Sequence, residues 1–91
     1  MLNTEEQKQV TELCCALIDA PGLSEQEEPV VKVLRAFMEK NGFDEVHIDR
    51  YGSIVGVLRG KRPGPALLFD GHIDTVPVGK PEAWRYEPYK A

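Results

Sequence analysis

The segment Gly71–Pro77 contains the residues of this chain that are best suited to chemistry. It places an imidazole, His72, two positions before a carboxylate, Asp74, just after the apolar run 66–70. Side chains i and i+2 of an extended chain point to the same side, so Asp74 can reach one ring nitrogen of His72 and leave the other free for a metal. A carboxylate in that place fixes the tautomer of the imidazole and makes its ligand nitrogen more basic. The spacing therefore predicts a metal ligand at His72 with Asp74 as its orienting partner.

Simpler interpretations of these and neighbouring residues stay open. His72 could be an ordinary structural histidine, and Asp74 could bond its own backbone in a turn. Asp70 has the same parity as His72 and Asp74, which allows a metal-binding role, although hydrogen bonds to neighbouring backbone are the favoured interpretation. Trp84, Tyr86 and Tyr89 could line a substrate cleft, but we favour a role in fixing an irregular loop to the body of the protein.

Helical periodicity predicts the first element that must support this segment. Apolar residues recur at three- and four-residue spacing and indicate an amphipathic helix over residues 4–19. Thr4 with Gln7 fits a capping box, and Pro21-Gly22 ends the pattern. Cys14 falls on the apolar stripe as a small hydrophobic residue, and C-C is not the spacing of a redox or zinc motif.

A second helix is predicted between Ser24 and Asn41-Gly42. Ser24 can cap it with Glu27 as the box partner, but Pro29 removes a backbone donor, so a start nearer residue 28 is the alternative. The helix presents one apolar face, formed by Val30, Val31, Leu34, Phe37 and Met38.

The pattern then changes to the period of two that is typical of strands. Residues 45–49 and 54–58, joined by a turn at Tyr51-Gly52, predict a β-hairpin in which His47 lies on the exposed polar face. The continuous apolar run 66–70 is typical of a strand covered on both faces, and the rest of the chain has no period. The order of elements predicts an α/β fold with two helices, a hairpin and one buried strand.

Bulk properties exclude several functional classes. A chain of 91 residues is at most one domain, and its formal charge of −4 argues against nucleic acid or an anionic membrane as partner. Nothing approaches the ~18 apolar residues of a membrane span. The start of the sequence has no basic region followed by an apolar core, so we expect a cytoplasmic protein.

The sequence Gly71-His72-Ile73-Asp74-Thr75-Val76-Pro77 resembles the co-catalytic zinc amidohydrolase and exopeptidase family. That family includes acetylornithine deacetylase, succinyl-diaminopimelate desuccinylase, aminoacylase and a carboxypeptidase that cleaves folates. The resemblance extends over essentially the whole chain, through Pro21–Glu25, Gly42-Phe43, Val46, Tyr51–Ile54, Trp84 and Glu87–Tyr89.

The resemblance implies a three-layer α/β/α fold and a site with two zinc ions, for which cobalt or manganese could substitute. In such a site His72 would bind one metal and Asp74 would hold His72 in place. A water or hydroxide that bridges the metals would attack an amide carbonyl, with a glutamate as general base. The substrates would be N-acyl amino acids or small peptides.

The family's other metal ligands, its glutamate base and its lid or dimerisation domain would all lie downstream of residue 91. We therefore expect residues 1–91 to be an incomplete N-terminal portion of the catalytic domain and inactive alone. One alternative is a non-catalytic module that binds another chain, or exchanges strands with it, through an open sheet edge. A less favoured alternative is a zinc site completed between two chains by His72 and Asp70.

Overall fold

The computed structural model describes all residues from Met1 to Ala91 and confirms the predicted α/β class. Two helices come first, and an antiparallel hairpin follows them. The elements are α1 (Thr4–Asp19), α2 (Glu28–Lys40), β1 (Glu45–Ile48), β2 (Ile54–Val57) and a short 3₁₀ helix (Pro81–Ala83).

Helix α1 has the predicted bounds but a different N-cap. The side chain of Asn3 accepts a hydrogen bond from the Glu6 backbone N–H, and the Glu6 carboxylate accepts one from the Asn3 N–H, both at 2.8 Å. Asn3 and Glu6 thus form the capping box that the sequence assigned to Thr4 and Gln7. The prediction was one residue late, because Asn and Thr are both good caps and the pattern admits either.

The packing of α1 corrects the prediction for Cys14. Leu13 and Leu17 are half-buried, and Leu13 lines a groove shared with α2, whereas Cys14 is exposed and Cys15 is half-buried. Only one helix packs against α1, so the narrow strip along Leu13 and Leu17 is covered while the edges of the apolar stripe stay in solvent.

Helix α2 begins where the proline allows it to. Its N-cap is Glu27, and Pro29 lies in the first turn, where the missing backbone donor costs nothing. The start at Ser24 was wrong and the alternative near residue 28 is confirmed. The predicted apolar face is also confirmed: Val30 and Val31 are 4% and 5% exposed, and the other three residues of that face are half-buried.

The hairpin has the predicted strands and turn. Glu45 pairs with Val57 and Ile48 with Ile54. At the turn the Asp49 carboxylate accepts hydrogen bonds from the N–H groups of Tyr51 (2.8 Å) and Ser53 (3.0 Å). Gly52 adopts φ 86°, a conformation that glycine takes without steric cost.

The hairpin packs on α2 at Gly56. A Cβ atom at this position would lie 2.7 Å from the Met38 sulfur and 2.7 Å from a ring carbon of Phe43. The missing side chain therefore lets strand β2 approach the helix closely.

The predicted buried strand at 66–70 is wrong. The segment has no strand structure, and Leu67, Leu68 and Phe69 are 84%, 89% and 90% exposed. A strand covered on both faces needs a neighbouring strand to satisfy its backbone N–H and C=O groups. No other part of residues 1–91 pairs with this segment, because the sheet consists of β1 and β2 alone.

The remaining chain is irregular, as predicted, apart from the short 3₁₀ helix. The Trp84 indole N–H donates to the Val78 carbonyl at 2.8 Å, which closes a loop around that helix. Neither α1 nor α2 has the length and hydrophobicity that a membrane-spanning helix needs.

We expect Gly56→Ala to lower the free energy of unfolding by about 1–3 kcal/mol, because the added methyl group must displace Met38 or Phe43. Gly64→Ala is the matched control, since a Cβ at Gly64 meets nothing within 4 Å. Urea unfolding followed by far-UV circular dichroism measures both variants. Equal stabilities would contradict the close approach of β2 to α2.

Candidate functional site

The structure brings His72 and Asp74 together. His72 Nδ1 lies 3.1 Å from Asp74 Oδ1 and 3.1 Å from the backbone carbonyl oxygen of the same residue. The His72 side chain is 86% exposed and that of Asp74 is 40% exposed. The pair thus lies at the surface, with the second ring nitrogen of His72, Nε2, turned away from Asp74.

The two oxygen atoms near Nδ1 assign the tautomer of His72. A backbone carbonyl oxygen can only accept a hydrogen bond, and so can an ionised carboxylate. Nδ1 must therefore carry the proton and donate it to Asp74. In the neutral ring this leaves a lone pair on Nε2, which is the form of imidazole that binds a metal.

The second carboxylate oxygen of Asp74 is bonded to Ser24. The Ser24 hydroxyl donates to Asp74 Oδ2 at 2.5 Å. This hydrogen bond and, to a smaller extent, the His72 ring hold the pKa of Asp74 below its ordinary value of 3.8, against an opposing effect of desolvation. Asp74 is therefore held as a carboxylate between a serine donor and an imidazole donor.

Backbone contacts fix the distance between these two parts of the chain. Thr75 donates to the Gly22 carbonyl oxygen from its N–H at 2.7 Å and from its hydroxyl at 3.3 Å. Leu23 and Thr75 form an isolated parallel β-bridge. Gly22 is buried, and a Cβ at this position would lie 2.5 Å from a methyl carbon of Val30. The segment 22–24 thus connects the site to α2.

A tight turn presents the Ser24 hydroxyl. The Gln26 N–H donates to the Leu23 carbonyl at 2.8 Å, and Glu25, in the middle of the turn, has φ 66°. This left-handed conformation costs about 1–3 kcal/mol for a residue with a side chain. The Glu27 carboxylate supports it by accepting a hydrogen bond from the Glu25 N–H at 3.0 Å.

Other candidate residues lie outside this arrangement. Asp70 is exposed and its carboxylate forms none of the backbone hydrogen bonds that the sequence favoured. Trp84, Tyr86 and Tyr89 remain 50%, 72% and 38% exposed, and Trp84 bonds its own loop rather than the body. His47 is exposed on β1, as predicted. No three side chains of His, Cys, Asp or Glu converge in a way that could hold a metal ion.

Ser24 is the site residue that sequence reasoning missed. It lies 50 positions before Asp74 and was assigned to a helix cap, which is the usual role of a serine before an acidic first turn. The available signal was Pro29, which moves the start of α2 to Glu28 and leaves Ser24 free for another partner.

Comparisons with known proteins find related sequences of much greater length. The chain is 36% identical over 85 residues to the uncharacterized protein YgeY of Escherichia coli K12, covering 92% of this chain and 20% of YgeY. It is 33% identical over 82 residues to a succinyl-diaminopimelate desuccinylase of Stutzerimonas stutzeri, with coverage of 88% and 21%. It is 38% identical over 77 residues to a [LysW]-lysine hydrolase of Deinococcus radiodurans, with coverage of 85% and 20%.

The chain spans about a fifth of the length of these curated relatives. No family model matches it, and no solved structure matches it either. The similarity to desuccinylases and to a lysine hydrolase nevertheless covers almost all of this chain. It confirms the resemblance to the amidohydrolase and exopeptidase family that the G-H-x-D-T-V-P sequence indicates.

Proposed function

We propose that residues 1–91 are the N-terminal portion of the catalytic domain of a metal-dependent hydrolase, and that they are inactive alone. The enzyme would cleave amide bonds in N-acyl amino acids or small peptides. The observation that carries this proposal is the Nδ1–H of His72 held by Asp74, which leaves Nε2 as a ligand. The cytoplasmic location expected from the sequence stays a prediction.

The residues at this site provide one ligand for a metal ion and no more. His72 offers one exposed nitrogen, whereas a catalytic zinc ion takes three protein ligands and keeps one open position. Zinc, with cobalt or manganese as alternatives, would polarise the amide carbonyl and activate water once the site is complete. The remaining ligands and the general base would come from outside these 91 residues.

The names of the relatives support the substrate class. A succinyl-diaminopimelate desuccinylase removes a succinyl group, and a [LysW]-lysine hydrolase acts on a linked lysine. Both names describe the release of an amino acid or a related diamino acid from an acyl partner. We extend this class to the present chain without choosing the acyl group.

Within the proposed site, Asp74 orients and does not react. Its carboxylate accepts from the Nδ1–H of His72, so the ring cannot turn without losing that hydrogen bond. Loss of such a partner typically reduces metal affinity or activity by about 10–100-fold.

A chimaeric enzyme tests the proposed function. The matched residues of the Stutzerimonas desuccinylase are replaced by this chain, which is 33% identical to them. We expect hydrolysis of an N-succinyl amino acid in the presence of zinc. His72→Ala should abolish hydrolysis, and Asp74→Asn should reduce kcat/KM about 10–100-fold, because the amide keeps an oxygen acceptor but loses the negative charge that holds the imidazole.

His47→Ala is the control in the chimaera, because His47 is the other histidine of the chain and lies on the exposed face of β1. The isolated chain should show no turnover. A folded chimaera that loses no activity and no zinc on His72→Ala would contradict the proposal.

The charge of Asp74 gives a prediction for acid pH. Because the pKa of Asp74 is lowered in the folded chain, its contribution to stability is present above the ordinary value of 3.8 and is lost as the pH falls through the folded-state pKa. Carbon NMR of the carboxyl group should show Asp74 titrating at lower pH in the folded chain than in the urea-unfolded chain. Identical titrations would contradict the Ser24 and His72 hydrogen bonds.

A second candidate function, pairing with another chain, is favoured by the exposed apolar run at 66–70. Leu67, Leu68 and Phe69 pair with no strand and expose their hydrophobic side chains to solvent. We expect the isolated chain to self-associate in size-exclusion chromatography with light scattering. Leu68→Lys should increase the monomer fraction, whereas Val76→Lys, at a residue 78% exposed outside this run, should not. A monomer at all concentrations would contradict this function.

A further inference from the structure

We propose that Ser24 is a positioning residue for the metal-binding histidine, acting through Asp74; this inference rests on the proposed role of His72. The contact that carries it is the hydrogen bond from the Ser24 hydroxyl to Asp74 Oδ2. The same carboxylate accepts from His72 through its other oxygen, Oδ1. Two hydrogen bonds thus connect the Ser24 hydroxyl to Nδ1 of the His72 ring, and Nε2 of the same ring is the proposed ligand atom.

A carboxylate needs two anchors to hold an imidazole in one orientation. Rotation of the Asp carboxylate about its terminal bond is broad, so a single hydrogen bond to His72 leaves the plane of the carboxylate free to move. Ser24 occupies the second oxygen at 2.5 Å and removes that freedom. Oδ1 is then held at the Nδ1–H, and the lone pair of Nε2 keeps a fixed direction.

The position of Ser24 is itself determined by the backbone. The turn from Leu23 to Gln26 closes with a hydrogen bond of 2.8 Å, and the two donors of Thr75 bind the carbonyl of Gly22. Gly22 lies against Val30 with no room for a side chain. Ser24 and Asp74 therefore meet because the backbones of residues 22–23 and Thr75 are bonded to each other beside the contact.

The hydrogen-bond directions favour a positioning role for Ser24 over a nucleophilic one. Its hydroxyl donates to the Asp74 carboxylate and has no histidine nitrogen as an acceptor. His72 turns its protonated nitrogen towards the same carboxylate. Ser24 and His72 each donate one hydrogen bond to the carboxylate of Asp74, which accepts both.

The tautomer of His72 in the metal-free chain tests this inference. Long-range proton–nitrogen NMR at a pH where the ring is neutral measures the ratio of the Nδ1–H to the Nε2–H form. His47→Asn is the background, because it leaves His72 as the only histidine. The Nδ1–H form should dominate, and Ser24→Ala should lower the ratio, because the Asp74 carboxylate is then free to rotate away from Nδ1.

Ser24→Thr keeps the hydroxyl and should restore the ratio. Ser53→Ala is the matched control, because Ser53 is also an exposed serine of a turn, and its N–H bonds the side chain of Asp49 rather than Asp74. An unchanged ratio in Ser24→Ala would overturn the proposal. So would a threonine variant that behaves like alanine, or a loss of the amide signals of the hairpin in Ser24→Ala, which would show a structural role instead.

This experiment uses neither zinc nor substrate, so its failure differs from failure of the proposed function. If the chimaera is inactive but the tautomer ratio changes in Ser24→Ala, the proposed hydrolase function is refuted and the positioning role of Ser24 is supported. If the chimaera is active but the ratio is unchanged in Ser24→Ala, the function is supported and the positioning role is refuted. In an active chimaera, Ser24→Ala should reduce kcat/KM less than Asp74→Asn does, because the carboxylate still accepts from His72.

Discussion

The site of this protein depends on the contact between residues 22–24 and residues 74–75. Two hydrogen bonds from Thr75 reach the Gly22 carbonyl, and Ser24 bonds Asp74. Gly22 is buried together with Val30 and Val31, and these three are the buried residues of the chain. The exposed site is therefore tied directly to the small core, although His72 itself touches none of it.

The chain before the site offers no comparable support. Residues 66–70 are exposed and pair with no strand, so the segment that carries His72 is held from one side only. The hydrogen bonds to residues 22–24 must then fix the position of the His72 segment, a task that pairing within a sheet would otherwise perform.

Local sequence patterns predicted the helices and the hairpin, but they could not predict features that depend on contacts between distant residues. Both helices and the hairpin follow from periods of 3.6 and 2 within short windows, and the cap of α1 was wrong by one residue because Asn3 and Thr4 compete. The run 66–70 has the composition of a buried strand, but burial requires partners that composition cannot supply. In the site, the i, i+2 spacing predicted the proximity of His72 and Asp74. The hydrogen bond from Ser24 joins residues 50 positions apart, and no local sequence pattern predicts a contact over that separation.

The exposure of the site shows what determines the protonation of His72 and Asp74. The His72 side chain is 86% exposed, so low dielectric contributes little to its properties. Hydrogen bonds act instead: the Ser24 hydroxyl lowers the pKa of Asp74, and the oxygen atoms of Asp74 accept the proton of His72 at Nδ1. Neither of these hydrogen bonds requires a metal ion, so the imidazole of His72 is oriented by the chain alone. Under the proposed function, a metal that binds Nε2 would meet a ligand whose rotational freedom the fold has already reduced.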